Sequence, residues 1–449
     1  MSKPFHLPPI QRTHPLYRVT LPWVASAVTR FHRITGTDGM EHLPPPGEPM
    51  VLISNHQNGL MDPLVHCTLL GGHQVHWLTR SDVFNGRFLR FLLFGFNMMP
   101  IFRRRDRLTD INERNQRIFE VCVARLDRGA TVGLYPEGNH AGEPSLRPLK
   151  RGVTDLLAMA RRAHPGLACI HLVPVGLDYE DYGAFRRNLR YRVGAPIAWH
   201  DLWDEATQQL DVPTLVRRME SALRALMVDV PQPGHLRVLH PYVRALRSTE
   251  CTPEGWRALQ TRVGALATLT ESALAHVARA WDAAEAQGIG SRIRPEDLGT
   301  GPEQVRPIGW GTLLLTAWAW ILALPSLPVA VFIGTQARRK IRDICFVSTF
   351  KLSVGMLLFP LTWLLTATAS AAILRASVPE AVAGVGGFWS VVLGAFTLQL
   401  LSTRAAGIGF EALRDARNSV LARRAWNHPP TAQAWLHYLR SVENPSSDR

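Results

Sequence analysis

The sequence is poor in cysteine and lacks any metal-binding cysteine pattern. Its five cysteines are scattered, odd in number and free of Cys-x-x-Cys or Cys/His spacing. This excludes a disulfide framework and a structural zinc site, and it indicates reduced thiols in a protein that faces the cytoplasm. No unbroken apolar run precedes the small residues at 24–27, so we expect no cleaved signal peptide.

Acidic residues are also few relative to basic ones. The 449 residues include 50 Lys and Arg against 36 Asp and Glu, which gives a formal net charge of +14. Such an excess indicates an anionic partner, which is a nucleic acid, a phosphorylated substrate or an acidic membrane surface. The sequence has no aromatic-basic RNA motif and no basic arm, so we expect no nucleic-acid partner.

Long apolar runs are absent from the first 300 residues and frequent afterwards. Residues 308–333, 352–374 and 381–401 contain no charged residue. Each run is long enough to cross a hydrocarbon core of about 30 Å at a rise of about 1.5 Å per residue. Three such runs within a hundred residues predict an integral membrane protein whose partner is the lipid bilayer.

The basic residues around these runs predict an orientation. Arg338, Arg339 and Lys340 follow the first run, and several arginines follow the third. The positive-inside rule places both regions in the cytoplasm. If the large N-terminal domain also lies on the cytoplasmic side of the inner membrane, 308–333 must re-enter the bilayer or lie at its interface, and 352–374 and 381–401 span it. Pro325 and Pro328 fit a broken first segment.

Between residues 50 and 200, short apolar strands alternate with helical patterns. The pattern predicts strands at 51–54, 75–78, 131–135, 170–175 and 191–193, and a helix over 110–128. This alternation is typical of an α/β fold with a mostly parallel sheet flanked by helices.

The remaining regions complete a predicted domain order. Residues 1–49 form an N-terminal segment whose amphipathic helix over 15–33 either packs on the domain or lies at the membrane interface. Residues 50–200 form the catalytic domain and 201–300 a helical linker or cap region. Residues 301–405 form the membrane region, and 406–449 form a basic C-terminal tail.

His56 and Asp62 are the candidate catalytic residues. They follow the apolar strand 51–54, and the end of a strand is where catalytic groups collect in α/β proteins. An imidazole oriented by a carboxylate can remove the proton from a hydroxyl group. Six positions apart on a helix would place the pair on different faces, so we expect His56 in a loop before a helix starting near Asn58.

Three further segments accompany this pair. They are residues 95–103, with the sequence Gly-Phe-Asn-Met-Met-Pro-Ile-Phe-Arg; Tyr135-Pro136-Glu137-Gly138; and Val173-Pro174-Val175. Together with His56 and Asp62, their order and wording resemble the four blocks of the glycerolipid acyltransferase family over about residues 50–200. Two departures stand out. Five residues separate His56 from Asp62 where the family usually has four, which resembles a separate branch, and Tyr135 replaces a phenylalanine.

The resemblance implies roles for these residues. His56 acts as general base on the acceptor hydroxyl, and Asp62 holds the second imidazole nitrogen. Arg103 binds the acceptor phosphate, since a guanidinium can bind phosphate oxygens bidentately, and Arg80 is a second phosphate candidate. The arginines at 104, 105 and 107 either assist or form a solvated charge run.

The remaining family positions have less specific implied roles. Glu137 either binds the acceptor or holds the site together, and Gly138 permits close backbone approach. Pro174 shapes the end of a strand that lines the acyl tunnel. Arg147 and its basic neighbours are candidates for phosphates of coenzyme A or of lipid headgroups.

The resemblance implies a membrane-bound acyltransferase without metal or other cofactor. Its co-substrate would be acyl-CoA or an acyl-acyl carrier protein, and its acceptor a phosphate-bearing glycerol. Lysophosphatidate is the expected acceptor and glycerol-3-phosphate the alternative. A non-catalytic membrane scaffold on the same fold is the second alternative.

Overall fold

The computed structural model describes residues 15–103, 109–165, 169–230, 233–247, 253–266, 269–305, 310–377 and 384–444. The chain divides into two compact units. The first contains the described residues up to Thr29, together with Ile34–Tyr179 and Asn188–Asp229. The second contains Arg30–Arg33, Glu180–Arg187 and the residues from Val230 onward.

A seven-stranded sheet organises the catalytic region, and five neighbouring strands in it run parallel. Its spatial order is β1-β7-β6-β2-β5-β3-β4, with β7 antiparallel to β6. The strands are β1 (His32–Asp38), β2 (Met50–Ser54), β3 (Val75–Arg80), β4 (Met98–Ile101), β5 (Thr131–Leu134), β6 (His171–Tyr179) and β7 (Arg187–Val193). A hairpin of β8 (Trp203–Asp204) and β9 (Gln209–Leu210) follows. The predicted α/β fold with a mostly parallel sheet is confirmed.

Helices cover the sheet because the central strands are apolar on both faces. The five residues of β2 are all buried, as expected for a parallel strand between two helical layers. The helices of this region are α1 (Pro15–Phe31), α2 (Met61–Leu69), α3 (Arg87–Gly95), α4 (Ile111–Leu126), α5 (Gly152–Ala163) and α6 (Val212–Arg224). Apolar residues of α4, α5 and α6 pack on one face of the sheet in a single core.

The strands differ from the predicted ones mainly at the edges of the sheet. β6 continues four residues beyond the predicted end at Val175, and β1 and β4 were not predicted. Both missed strands lie at the two ends of the sheet. A strand at the edge is buried less evenly, so its sequence lacks the apolar run that marks a central strand.

The second unit is helical. Its helices are α7 (Pro233–Arg247), α8 (Pro253–Leu266), α9 (Glu271–Ala286), α10 (Pro295–Leu298), α11 (Trp310–Ala323), α12 (Leu327–Lys340), α13 (Val347–Ser377), α14 (Gly384–Trp426) and α15 (Pro429–Glu443). The described part of the first apolar run therefore covers α11 and the first half of α12, two helices of 14 residues that are separated by a short turn at Leu324–Ser326 containing Pro325. Each is about 21 Å long at 1.5 Å per residue, shorter than a bilayer core.

One continuous helix among the described residues is long and apolar enough to cross a membrane, and it covers Ile344–Ser377. It contains the second predicted span. The described part of the third, from Gly384 onward, falls in α14; its apolar part Gly386–Leu400 is shorter, and α14 continues without a break into the basic region. Re-entry of 308–333 stays a prediction.

Two buried histidines make the catalytic unit sensitive to acid. Burial lowers the pKa of His66 to about 3, although the charge of Asp62 opposes the shift. Burial, with a contribution from Arg125, also lowers the pKa of His76 to about 3. Unfolding exposes both rings and returns their pKa values to about 6.5. The unfolded chain then binds more protons, so stability that is present above pH 6.5 is lost as the pH falls towards 3.

We therefore expect the free energy of unfolding of this unit to fall by up to about 1.4 kcal/mol per pH unit for each histidine. Urea unfolding of the full chain in detergent, read by hydrogen exchange of β2 and β5 at pH 6, 5 and 4, measures this slope. The variant His66→Gln should reduce the slope by one histidine's share. An unchanged slope would assign the acid sensitivity to other groups.

Candidate active site

The candidate base lies in the loop that joins β2 to α2. His56 is the second residue after the strand, and α2 begins at Met61 rather than near Asn58 as predicted. Asp62 is therefore in the first turn of the helix and points back to the loop. The prediction that His56 lies outside the helix is confirmed. The five residues between His56 and Asp62 form the turn that leads into α2 and its first residue.

The Asp62 carboxylate is fully buried and accepts four hydrogen bonds. Its Oδ2 lies 2.8 Å from His56 Nδ1 and 2.9 Å from the backbone N–H groups of both Gln57 and Asn58. Its Oδ1 accepts the Tyr179 hydroxyl at 2.7 Å. A buried carboxylate needs such donors because it has lost its water. Asp62 therefore orders the whole loop as well as the imidazole.

The His56 ring is held in one tautomer and one plane. Because Asp62 Oδ2 accepts from Nδ1, Nδ1 carries the proton and Nε2 offers its lone pair. The imidazole stacks on Tyr135 with ring centroids 4.0 Å apart and planes inclined by 15°. Within the described part of the chain, no residue makes a hydrogen bond to Nε2. The ring is therefore ready to accept a proton from a bound molecule.

Tyr135, at the position where the resembled family usually has phenylalanine, provides the ring on which the His56 imidazole stacks. Its ring lies between His56 and Trp77, whose ring centroid is 5.0 Å away and nearly parallel. Burial raises the pKa of the phenol well above its ordinary value. Tyr135 thus remains neutral and contributes its ring face instead of an acid or base.

Glu137 holds the catalytic loop from the other side. Its Oε1 accepts the His56 backbone N–H at 2.7 Å, and its Oε2 accepts Arg147 Nε at 2.9 Å and the Arg147 backbone N–H at 3.2 Å. The carboxylate is almost completely buried. Burial raises its pKa, and the charge of Arg147 opposes that rise. Of the two roles that the sequence left open for Glu137, these contacts favour holding the site together.

Gly138 follows at a position that needs glycine. Its φ is +73°, and a Cβ placed there would lie 2.6 Å from Lys150 Nζ. The left-handed backbone disfavours any larger residue, whereas the flexible Lys150 side chain could move aside. Gly138 therefore closes the turn after β5 that presents Glu137.

Arg103 comes from the far edge of the sheet. It lies two residues beyond β4, and the preceding Phe102 is fixed by Asn115, whose amide group exchanges hydrogen bonds of 2.9 Å with the Phe102 N–H and C=O. β4 lies three strands from β2, which is about 14 Å at the usual strand spacing. The half-buried Arg103 thus follows the carboxyl end of β4, at the same edge of the sheet as His56.

Two other predicted binding residues have different surroundings from those expected. Arg80 ends β3, and its guanidinium pairs with the neighbouring Asp82 through both carboxylate oxygens. Arg80 could bind a phosphate only if its ion pair with Asp82 were broken. Pro174 lies in the interior of β6, opposite Ile53 of β2, so the prediction that it shapes the end of a strand is wrong. The arginines at 104, 105 and 107 lie outside the described residues.

Sequence reasoning missed several residues of the site. Asn55 exchanges hydrogen bonds of 2.8 Å with both backbone groups of Leu177, although its place directly before His56 was a usable signal. Tyr179 had no signal, because it lies 117 positions after Asp62 in the sequence. Arg147 was predicted to meet substrate phosphates, whereas the structure pairs it with Glu137.

Comparison with known proteins identifies an acyltransferase domain in the region that contains the candidate active site. A family model described as Acyltransferase matches residues 35–178. A 1-acyl-sn-glycerol-3-phosphate acyltransferase of Brassica napus is 24% identical over 136 residues, which is 30% of this chain and 37% of that protein. Glycerol-3-phosphate O-acyltransferase 2 of Saccharomyces cerevisiae is 26% identical over 129 residues, 28% of this chain and 17% of that protein.

The matches are partial. The chain covers between 17% and 63% of the length of its curated relatives. The crystal structure of the 1-acyl-sn-glycerophosphate acyltransferase PlsC from Thermotoga maritima aligns with a TM-score of 0.33 and 13% identity, over 47% of this chain and 79% of that one. The four sequence blocks, the matching family model and the relatives all fall on the same part of the chain. Residues 35–178 therefore form an acyltransferase domain that is similar to those of the glycerol-phosphate acyltransferases named above.

Proposed function

We propose that this chain is a membrane-bound O-acyltransferase that transfers a fatty acyl group from acyl-CoA or acyl-acyl carrier protein to lysophosphatidate. The observation that carries the proposal is the His56–Asp62 pair, in which the buried Asp62 carboxylate holds His56 Nδ1 at 2.8 Å and leaves Nε2 without a hydrogen bond to any described residue. The His56 side chain is 15% exposed, so a substrate can reach it.

The reaction follows from this geometry. His56 Nε2 takes the proton from the acceptor hydroxyl while its oxygen attacks the thioester carbonyl, forming the C–O bond. Asp62 stabilises the imidazolium that develops. The C–S bond then breaks, and the imidazolium returns the proton to the departing thiolate. The acceptor is itself the nucleophile, so no acyl-enzyme forms and no cofactor takes part.

Arg103 is the proposed partner of the acceptor phosphate, and Glu137 with Gly138 shapes the loop around the acceptor. Asn115 supports the Arg103 assignment because it fixes the backbone just before the guanidinium. A bidentate guanidinium–phosphate pair would orient the glycerol hydroxyl towards His56.

The second unit supports membrane attachment. α13 is 31 residues long, about 46 Å at 1.5 Å per residue, which exceeds the bilayer core. Large apolar side chains are exposed along α11, α13 and α14, and they include Trp310, Trp318, Leu357, Leu365, Ile373, Trp389, Leu393 and Leu398. In water such a surface would be costly, whereas in a bilayer it is solvated. We propose that the catalytic unit and the basic last turn of α12 both lie on the cytoplasmic side of the inner membrane.

Glycerol-3-phosphate is the alternative acceptor, since one relative is named as a glycerol-3-phosphate O-acyltransferase. Purified protein in lipid nanodiscs, offered lysophosphatidate and glycerol-3-phosphate in parallel with one acyl-CoA, separates the two by lipid mass spectrometry. We expect phosphatidate as the main product. Lysophosphatidate from glycerol-3-phosphate would establish the alternative. Absence of acyl transfer to either acceptor, from acyl-CoA and from acyl-acyl carrier protein, would favour a non-catalytic scaffold.

A further inference from the structure

The Asp62 oxygen that does not contact His56 has a partner of its own. Asp62 Oδ1 accepts the Tyr179 hydroxyl at 2.7 Å, and both side chains are completely buried. Tyr179 is the last residue of β6, which pairs in parallel with β2. The strand pairing therefore delivers a phenol to the carboxylate that orients the base.

β6 fixes the catalytic loop at a second point. Two residues before Tyr179, the backbone N–H and C=O of Leu177 both bond to the Asn55 side chain. Asn55 directly precedes His56, so β6 holds one end of the loop through Asn55 and the other through Asp62. The same strand thus contacts the residues on both sides of the base.

The hydrogen bond from Tyr179 has a specific consequence for Asp62. Oδ2 must accept three N–H donors at once, which requires one orientation of the carboxylate plane. A donor on Oδ1 opposes rotation of that plane. It also withdraws electron density from the carboxylate, so that Asp62 stabilises the imidazolium without becoming a strong competing base.

We propose that Tyr179 is a positioning residue for acyl transfer, acting through Asp62 on His56. The proposal rests on the proposed function, in which His56 is the general base. Tyr179 itself does not touch the substrate in this scheme. It sets the geometry and the basicity of the pair that does.

The test is Tyr179→Phe in the full chain in nanodiscs, which removes one hydroxyl and keeps the ring. Loss of the hydrogen bond from Tyr179 to the charged Asp62 carboxylate is expected to lower kcat by roughly 10- to 100-fold, which corresponds to the free energy of a hydrogen bond to a charged group. The KM values for acceptor and donor should stay near those of the wild type. The acidic limb of the pH–rate profile should move to higher pH, because the more basic Asp62 stabilises the imidazolium.

A second readout does not depend on activity. Diethyl pyrocarbonate modifies neutral imidazole, and peptide mass spectrometry reports the His56 peptide separately. In Tyr179→Phe, the pH of half-maximal modification should rise. If wild-type protein shows no acyl transfer but this shift appears, the positioning role stands and the proposed function fails.

Two further variants make the assignment specific. Tyr191→Phe removes a hydroxyl that is also fully buried but bonds to His66 Nδ1 at 3.0 Å instead of Asp62. It should leave kcat and the His56 modification profile at their wild-type values. In an Asp62→Asn background, Tyr179→Phe should have little additional effect on kcat, because its action passes through the carboxylate.

The opposite results would overturn the proposal. If Tyr179→Phe lowers thermal stability yet keeps kcat and the His56 modification profile, Tyr179 is structural only. If its effect on kcat is undiminished in the Asp62→Asn background, it acts by another route.

Discussion

Replacing His56 by alanine is expected to reduce kcat for acyl transfer by about 10²- to 10⁴-fold, the usual contribution of a general base. Nε2 is the atom that would receive the acceptor proton, and Asp62 holds the opposite nitrogen at 2.8 Å. Without the imidazole, the hydroxyl must lose its proton to water. Binding should be less affected, so the KM for acyl-CoA should stay close to that of the wild type. Steady-state rates with radiolabelled acyl-CoA measure both quantities.

His140 provides the sharpest comparison for this experiment. Its ring lies edge-on to His56 with centroids 5.5 Å apart, so it is the competing candidate for the base. If His140→Ala abolished acyl transfer while His56→Ala retained it, the base would be His140. A His56→Gln variant, which keeps a hydrogen-bonding side chain, should be as inactive as His56→Ala.

The central strands and the catalytic pair could be predicted because their signals are local. β2, β5 and β6 are apolar on both faces, and they appear in the sequence as short uninterrupted runs. His56 and Asp62 are six positions apart, and the geometry of one loop and one helical turn was enough to place His56 outside the helix.

The partners of the pair could not be predicted because they depend on strand order. β6 lies next to β2 although 116 residues separate Ser54 from the start of β6 at His171. That neighbourhood brings Tyr179 to Asp62 and Leu177 to Asn55. Periodicity identifies a strand without identifying its neighbour, so the sequence does not show which strand supplies the partners of Asp62 and Asn55.

Charge pointed to phosphates as partners of Arg147 and gave no sign of Glu137, for a related reason. A basic run before a helix is a reasonable place for phosphate binding, and the sequence offers no sign that a buried carboxylate lies nearby. The structure places the Glu137 carboxylate against the Arg147 guanidinium and backbone. The arginine thereby neutralises a buried charge that also holds the His56 N–H. Its expected effect is on the geometry of the base instead of on substrate affinity.

Replacing Arg147 by methionine is therefore expected to lower kcat by about 100-fold, the loss that a displacement of about 1 Å at a catalytic group can cause. The substitution leaves the Glu137 carboxylate buried without its cation, and we expect this to lower the free energy of unfolding by about 3 kcal/mol. This value is at the low end of the range for breaking a buried ion pair, because the Arg147 side chain is 23% exposed. The pKa of Glu137, already raised by burial, should rise further once Arg147 no longer opposes that shift.

Matched variants separate this effect from a general loss of charge. Arg128→Met removes an exposed arginine at the end of α4 and should leave kcat and stability unchanged. Arg147→Lys restores the charge without the planar fork, so it should recover stability more than kcat. A raised KM for acyl-CoA with unchanged kcat in Arg147→Met would instead return Arg147 to the phosphate-binding role. The proposed link from Arg147 through Glu137 to the His56 backbone would then be wrong.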